Sequence, residues 1–177
     1  MRTRDSRADV AEGRYYYAAA RSSSRGALRH TGDIDATDDI VEQILRTHDT
    51  ITVVGHSADP AKAAFAVPRL MQRHGWRIIP VNPHADQILG EQVYRSLAEV
   101  SGPVGLVDVF RPPAETPDVA RQAVAAGASA LWLQLGIASA EAREIAAAAG
   151  LLYVENRCLA IEQRRLGLDA PAPGASR

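Results

Sequence analysis

From Thr37 onward the hydrophobic positions switch repeatedly between two periods. Ile40, Val41, Ile44 and Leu45 form one helical stripe, with Thr37 as the expected cap and Asp38 and Asp39 in the first turn, where the helix dipole favours acids. The β-branched run "ITVVG" reads as a buried strand ending at Gly55. Asp59 and Pro60 predict a helix cap and first helical residue. Phe65, Val67, Leu70 and Met71 carry that helix to His74, and Gly75 stops it. Pro68, inside this span, removes a backbone donor and predicts a kink. Further strands are predicted at "WRIIPVN", "VGLVDVF", "ALWLQLG" and "LLYVEN". Between them, Ser96 and Glu99 predict a capping box. Thr116, Pro117 and Asp118 predict a helix start that leads to Gly127, Ser139 to Ala149 a helix stopped by Gly150, and "LAIEQRRLG" a closing helix.

Five strands, each followed by a helical pattern, predict an α/β fold: a doubly wound open parallel sheet of about five strands, Rossmann-like. Residues 37–167 carry this pattern. Residues 1–36 do not: arginines are scattered among Ser, Gly, Ala and Asp with no sustained period, which predicts a disordered N-terminal extension. Its "YYY" at 15–17 offers rings for a nucleic-acid base or for an apolar patch. Residues 168–177, "LDAPAPGASR", read as a flexible tail.

Composition narrows the chemistry. The formal net charge is −1 over 177 residues, so nothing global points to nucleic acid or a membrane surface. No apolar run approaches the roughly 18 residues that span a bilayer. The single cysteine, Cys158, excludes a disulfide framework and a multi-thiolate zinc site, and fits a reducing, cytoplasmic setting. No histidine pair stands at metal-ligand spacing, and Ser57 lacks the glycine pattern of a nucleophile elbow. The chain reads as binding chemistry without a catalytic constellation.

In a doubly wound sheet, ligands lie outside the carboxyl ends of the strands. After the first strand, "GHSADPAK" supplies Gly55 for close approach, the Ser57 hydroxyl, and Lys62, the only lysine of the chain, near a helix start whose free N–H groups favour an anion. Asn82 and Pro83 follow the second strand. NAD enzymes usually place an acid there, and Asn82 with no G-x-G-x-x-G weighs against NAD. Val109, Phe110 and Arg111 end the third strand, Gln134 and Gly136 the fourth, and Asn156 and Cys158 follow the fifth.

These residues, in this order, carry a resemblance. The stretches "ITVVGHSADPAK", "RIIPVNP", "ILGEQVYRSLAEV", "VGLVDVFRPPAE", "GASALWLQLGI" and "ENRCLAIEQRRL" resemble the small stand-alone CoA-binding proteins, whose Rossmann-like domain is similar to the CoA-binding domain of the succinyl-CoA synthetase α subunit. The resemblance implies coenzyme A or acyl-CoA as the ligand. By it, Gly55, Ser57 and Lys62 hold phosphates, Asn82 and Pro83 border the adenosine, and Val109, Phe110 and Arg111 line the cleft. Trp132, Gln134 and Gly136 run along the pantetheine, and Asn156 stands near the ligand. One departure is visible: Lys62, Ala63 and Ala64 stand where the family usually has Arg-Pro-Ser, so a charge survives while the bidentate fork and the hydroxyl do not.

The resemblance implies a carrier, sensor or regulator with a small-molecule partner. Two other readings stand beside it: an NAD(P)-binding redox-type protein, and the CoA-binding subunit of a split acyl-CoA synthetase. If the CoA thiol reaches Cys158, a mixed disulfide under oxidation is a further expectation to test.

Overall fold

The structure, a computed structural model, describes residues 33–174. The expectations for residues 1–32 and 175–177 lie outside them. Helix α1 (Asp33–Thr47) leads into β1 (Thr50–Val54), α2 (Ala63–Arg73) and β2 (Arg77–Val81). A short hairpin, β3 (Gln87–Ile88) and β4 (Glu91–Gln92), and a 3-10 turn at Leu97–Glu99 precede β5 (Leu106–Val109). Then come α3 (Thr116–Ala125), β6 (Ala130–Leu133), α4 (Ala140–Ala148), β7 (Leu152–Val154) and α5 (Leu159–Leu166).

The five long strands form one parallel sheet in the order β2-β1-β5-β6-β7. The chain steps outward from β1 to β2, then returns to the other side of β1 to lay down β5. The switch point therefore falls between β1 and β5, the place where a doubly wound sheet opens a crevice. The expected α/β class and strand count are those of the structure.

Strand periodicity explains the layers. Val81, Val107, Val109, Leu131 and Leu133 point to one face, where they pack with Val119, Ala120 and Ala123 of α3 and Ala142 and Ala146 of α4. Alanines dominate those two helices, which allows close approach to the sheet. Val41, Ile44, Leu45, Val67, Met71 and Leu159, from α1, α2 and α5, supply buried apolar surface on the other side. Both tryptophans are buried, and each indole N–H is satisfied by a backbone carbonyl: Trp76 donates to His48 at 2.7 Å and Trp132 to Arg157 at 2.7 Å.

Several local expectations shift. Helix α1 begins at Asp33, so Thr37 lies inside it and does not cap it. Asp59 and Pro60 form a separate turn, in which the Asp59 carboxylate accepts from Ala61 N–H and its carbonyl accepts from Lys62 N–H; α2 starts three residues later, with Lys62 as its extended cap residue. The capping box is displaced, because Glu99 accepts from the N–H of Arg95 and not of Ser96.

Residues 168–174 of the tail make hydrogen bonds to the fold. Leu168 N–H donates to Gln163 O, Ala170 N–H to His74 O at 2.9 Å, and Asp169 meets the His74 ring at 2.8 Å. Gly174 N–H reaches Asp49 at 2.5 Å. Ala170 to Gly174 thereby wall a cavity of about 640 Å³ with Asp49, Thr50, Gly75, Arg77 and Pro103, at the amino edge of the sheet.

Candidate functional site

The carboxyl edge holds a second cavity, of about 380 Å³, at the switch point. Its apolar floor is Val54, Val81, Leu97 and Val119, and its polar rim is Arg95, Ser96, Arg111, Glu115, Asp118 and Gln122. Gly55 and Pro83 complete the wall. Thus Gly55, Pro83 and Arg111, singled out from three different strand ends, meet in one cleft.

Gly55 is required here by backbone geometry. Its φ is +85°, and a Cβ on it would stand 2.9 Å from the Phe110 carbonyl oxygen and 2.9 Å from the Arg111 Cδ. The close neighbour that excludes a side chain is the chain leaving β5. Phe110 N–H donates to Val54 O and Gly55 N–H to Val81 O, so the tips of β2, β1 and β5 are laced together under the cleft.

The turn after β1 is hooked to α2 by an indirect effect of Pro68. A residue at 68 with an N–H would donate to Ala64 O; proline has none, and Ala64 O accepts instead from Ser57 N–H at 3.1 Å. The predicted kink is thus replaced by a continuous helix whose spare acceptor holds the loop. Ser57 Oγ accepts from Asp59 N–H at 3.1 Å. Lys62 is exposed beside the helix start and is not part of the cleft wall.

Other sequence-derived site residues tie strand ends to one another. Asn82 donates to His56 O at 2.7 Å and accepts from the N–H groups of His84 and Ala85. Asn156 adopts φ +53°, tolerable for asparagine, and accepts from Gly136 N–H at 2.8 Å. One amide therefore joins the first two tips and the other joins the last two. Val109 and Gln134 are buried, and Gln134 donates to Asp108 at 2.8 Å. Trp132 lies wholly inside the fold with its N–H satisfied, so its ring faces protein where the resemblance placed pantetheine.

Electrostatics add two groups that strand-end reading did not single out. His56 is fully buried, with Nδ1 3.1 Å from Ser57 O and Nε2 without a partner. Burial lowers its pKa to about 4, against a smaller upward pull from that hydrogen bond. Asp108 is fully buried too; burial raises it to about 7, opposed by the Gln134 hydrogen bond, and Oδ2 has no partner. Cys158 is buried and pushed up to about 11 by desolvation, with Asp108 adding to the rise. That environment holds it as a thiol and disfavours the mixed disulfide with CoA expected under oxidation.

Both cations of the cleft rim carry carboxylate partners. Arg111 donates to Glu115 Oε2 through Nε at 2.8 Å and Nη2 at 2.5 Å. Arg95 donates to the Ala85 carbonyl at 2.6 Å and pairs with Asp86. Asp118 is held by Arg121 at 2.8 Å. Among the described residues no group of three His, Cys, Asp or Glu side chains could hold a metal ion, and no helix is long and apolar enough to cross a membrane. The rim thus carries two guanidinium groups and two carboxylates above an apolar floor.

The model of a family described as a CoA binding domain matches residues 49–164. YneT of Bacillus subtilis, an uncharacterized protein, is 34% identical over 121 residues, covering 68% of this chain and 90% of its own length. A hypothetical protein from Pyrococcus horikoshii superposes with a TM-score of 0.74 at 34% identity, over 80% of this chain and all of that one (100%). An ADP-forming acetate–CoA ligase of Methanocaldococcus jannaschii is 22% identical over 129 residues, 68% of this chain but only 18% of the ligase.

Proposed function

The chain belongs to the CoA binding domain family, and on that premise we propose that it binds coenzyme A or an acyl-CoA in the carboxyl-edge cleft, as a carrier, sensor or regulator. The observation that carries this reading is the cleft at the switch point, where Gly55, Pro83 and Arg111 converge over an apolar floor. Its volume of about 380 Å³ suits part of such a ligand and leaves the rest to extend along the strand tips. Arg111 and Arg95 supply guanidinium groups for phosphate. Lys62 adds a charge at the mouth of α2, and Val54, Val81, Leu97 and Val119 supply surface for a base or an aliphatic arm. The Asn82 carboxamide already spends both lone pairs of its oxygen inside the protein, which leaves it a structural tie and no ribose acceptor of the kind an NAD site uses.

Isothermal titration is expected to show CoA binding that Lys62→Ala weakens about tenfold, the ~1.4 kcal/mol of one charged contact. Undiminished affinity in the variant would take Lys62 out of the site. No heat with CoA, together with tight NADH binding, would replace the reading with the redox one.

A second reading has one observation in its favour. The chain spans 18% of the acetate–CoA ligase it matches, so it corresponds to one portion of a larger machine. As a CoA-binding subunit of a split synthetase it would co-purify with a ligase chain when isolated at native abundance; recovery of the bare chain alone counts against that.

A further inference from the structure

We propose that Glu115 is a built-in competitor for Arg111: its carboxylate occupies the guanidinium that a phosphate group of the ligand takes on binding, and so weakens the affinity of the cleft. The inference rests on the CoA reading and assigns a specific residue to its control.

Four observations converge on it. The stem of Arg111 passes beside Gly55, where a Cβ would stand 2.9 Å from its Cδ, and the residue lines the cleft. That head donates twice to one oxygen, Glu115 Oε2, in the convergent manner in which guanidinium groups grip oxyanions. Glu115 ends the 3-10 turn Pro113–Glu115 that runs into α3, and its side chain makes no cap bond and turns to Arg111. Finally, the pair is open to solvent, with side chains 40% and 46% exposed, and both residues line the cleft. An exposed pair of this kind is weak and salt-screened, so an arriving phosphate can exchange with it.

The chemistry of the exchange is plain. A phosphate carries more charge and more acceptor oxygens than the carboxylate it replaces. The displaced carboxylate then stands near a second anion and opposes it. Both effects reduce affinity, and both vanish when Glu115 loses its charge.

Titration calorimetry with CoA on four proteins tests this: wild type, Glu115→Gln, Arg111→Ala and the double variant, each checked for an unchanged melting transition. Glu115→Gln is expected to bind CoA about fivefold more tightly than wild type, about 1 kcal/mol. On the Arg111→Ala background the same change is expected to alter affinity less than twofold. Wild-type binding with an unchanged or weakened Glu115→Gln variant overturns the proposal while leaving the CoA reading intact. An equal gain on both backgrounds also overturns it, because the effect would then be general charge and not competition for Arg111. Absence of CoA binding in both wild type and Glu115→Gln removes the CoA reading, and the competitor role with it.

Discussion

Asp108→Asn is expected to make the protein more stable at pH 8 and to leave it nearly unchanged at pH 4.5. In the unfolded chain this carboxyl ionises near 3.8; in the fold, burial raises it to about 7. Between those values the folded protein keeps a proton that the unfolded chain has released. Stability therefore falls as pH rises from about 4 to about 7, and the loss persists above. A separation of this size corresponds to roughly 4 kcal/mol as an upper figure. Asparagine has no charge to desolvate, and its carbonyl can still accept from Gln134. Its amide N–H, placed where Oδ2 finds no partner, gives back part of the gain. A net increase of about 2 kcal/mol at pH 8 is expected from guanidinium unfolding midpoints.

His56 acts with the opposite sign. Its folded pKa near 4 lies below 6.5, so the stability it contributes is present above 6.5 and is lost as pH falls toward 4. His48, also lowered by burial, slopes the same way. In the wild type these slopes oppose that of Asp108, and the stability profile between pH 4 and 6.5 is flattened. The Asp108→Asn variant should reveal the rising slope of the histidines. An unfolding difference between the two proteins that is constant from pH 4.5 to 8 would refute the assignment.

Gly55→Ala has the other large expected effect, in the destabilising direction. The φ of +85° strains any L side chain, and the new methyl meets the Phe110 carbonyl oxygen, a backbone atom, at 2.9 Å. Arg111 can swing away; the strand end cannot move without breaking the Phe110 to Val54 bond. A loss of about 3 kcal/mol is expected, lowering the melting temperature by roughly 6–12 °C, with CoA affinity falling alongside. Gly136→Ala is the control. Its φ is +84°, but nothing lies within 4 Å of the added Cβ, so only the backbone strain of about 1 kcal/mol remains. Equal losses at the two glycines would show that crowding by the β5 tip contributes nothing.

These contrasts indicate what the sequence makes legible. The alternation of β-branched runs with helical stripes reveals five parallel strands because each signal is local: Ile51 to Val54 cannot pack as anything but a buried strand beside a glycine turn. The position of the cleft follows from topology, and Gly55, Pro83 and Arg111 are found because they stand directly after strands. Arg95, Glu115 and Asp118 are missed for the converse reason: they reach the cleft from a turn and from the start of α3, through packing that no spacing encodes. Asn82 and Asn156 look like ligand contacts in sequence, since an amide that binds a ribose and one that binds a neighbouring loop are the same residue in the same place. Trp132, which the resemblance sets along the pantetheine, is buried with its N–H on the carbonyl of Arg157. Pro68 reads as a helix defect until its unpaired acceptor, Ala64 O, is seen to meet Ser57.

The anchored tail has a practical consequence. Ala170 to Gly174 lie against Asp49, beneath the amino ends of the strands, whereas Gly55 and Arg111 stand at the opposite rim. A sensor chip or bead coupled through this segment would hold the molecule by its underside and leave the cleft at the opposite rim turned toward the flowing solution.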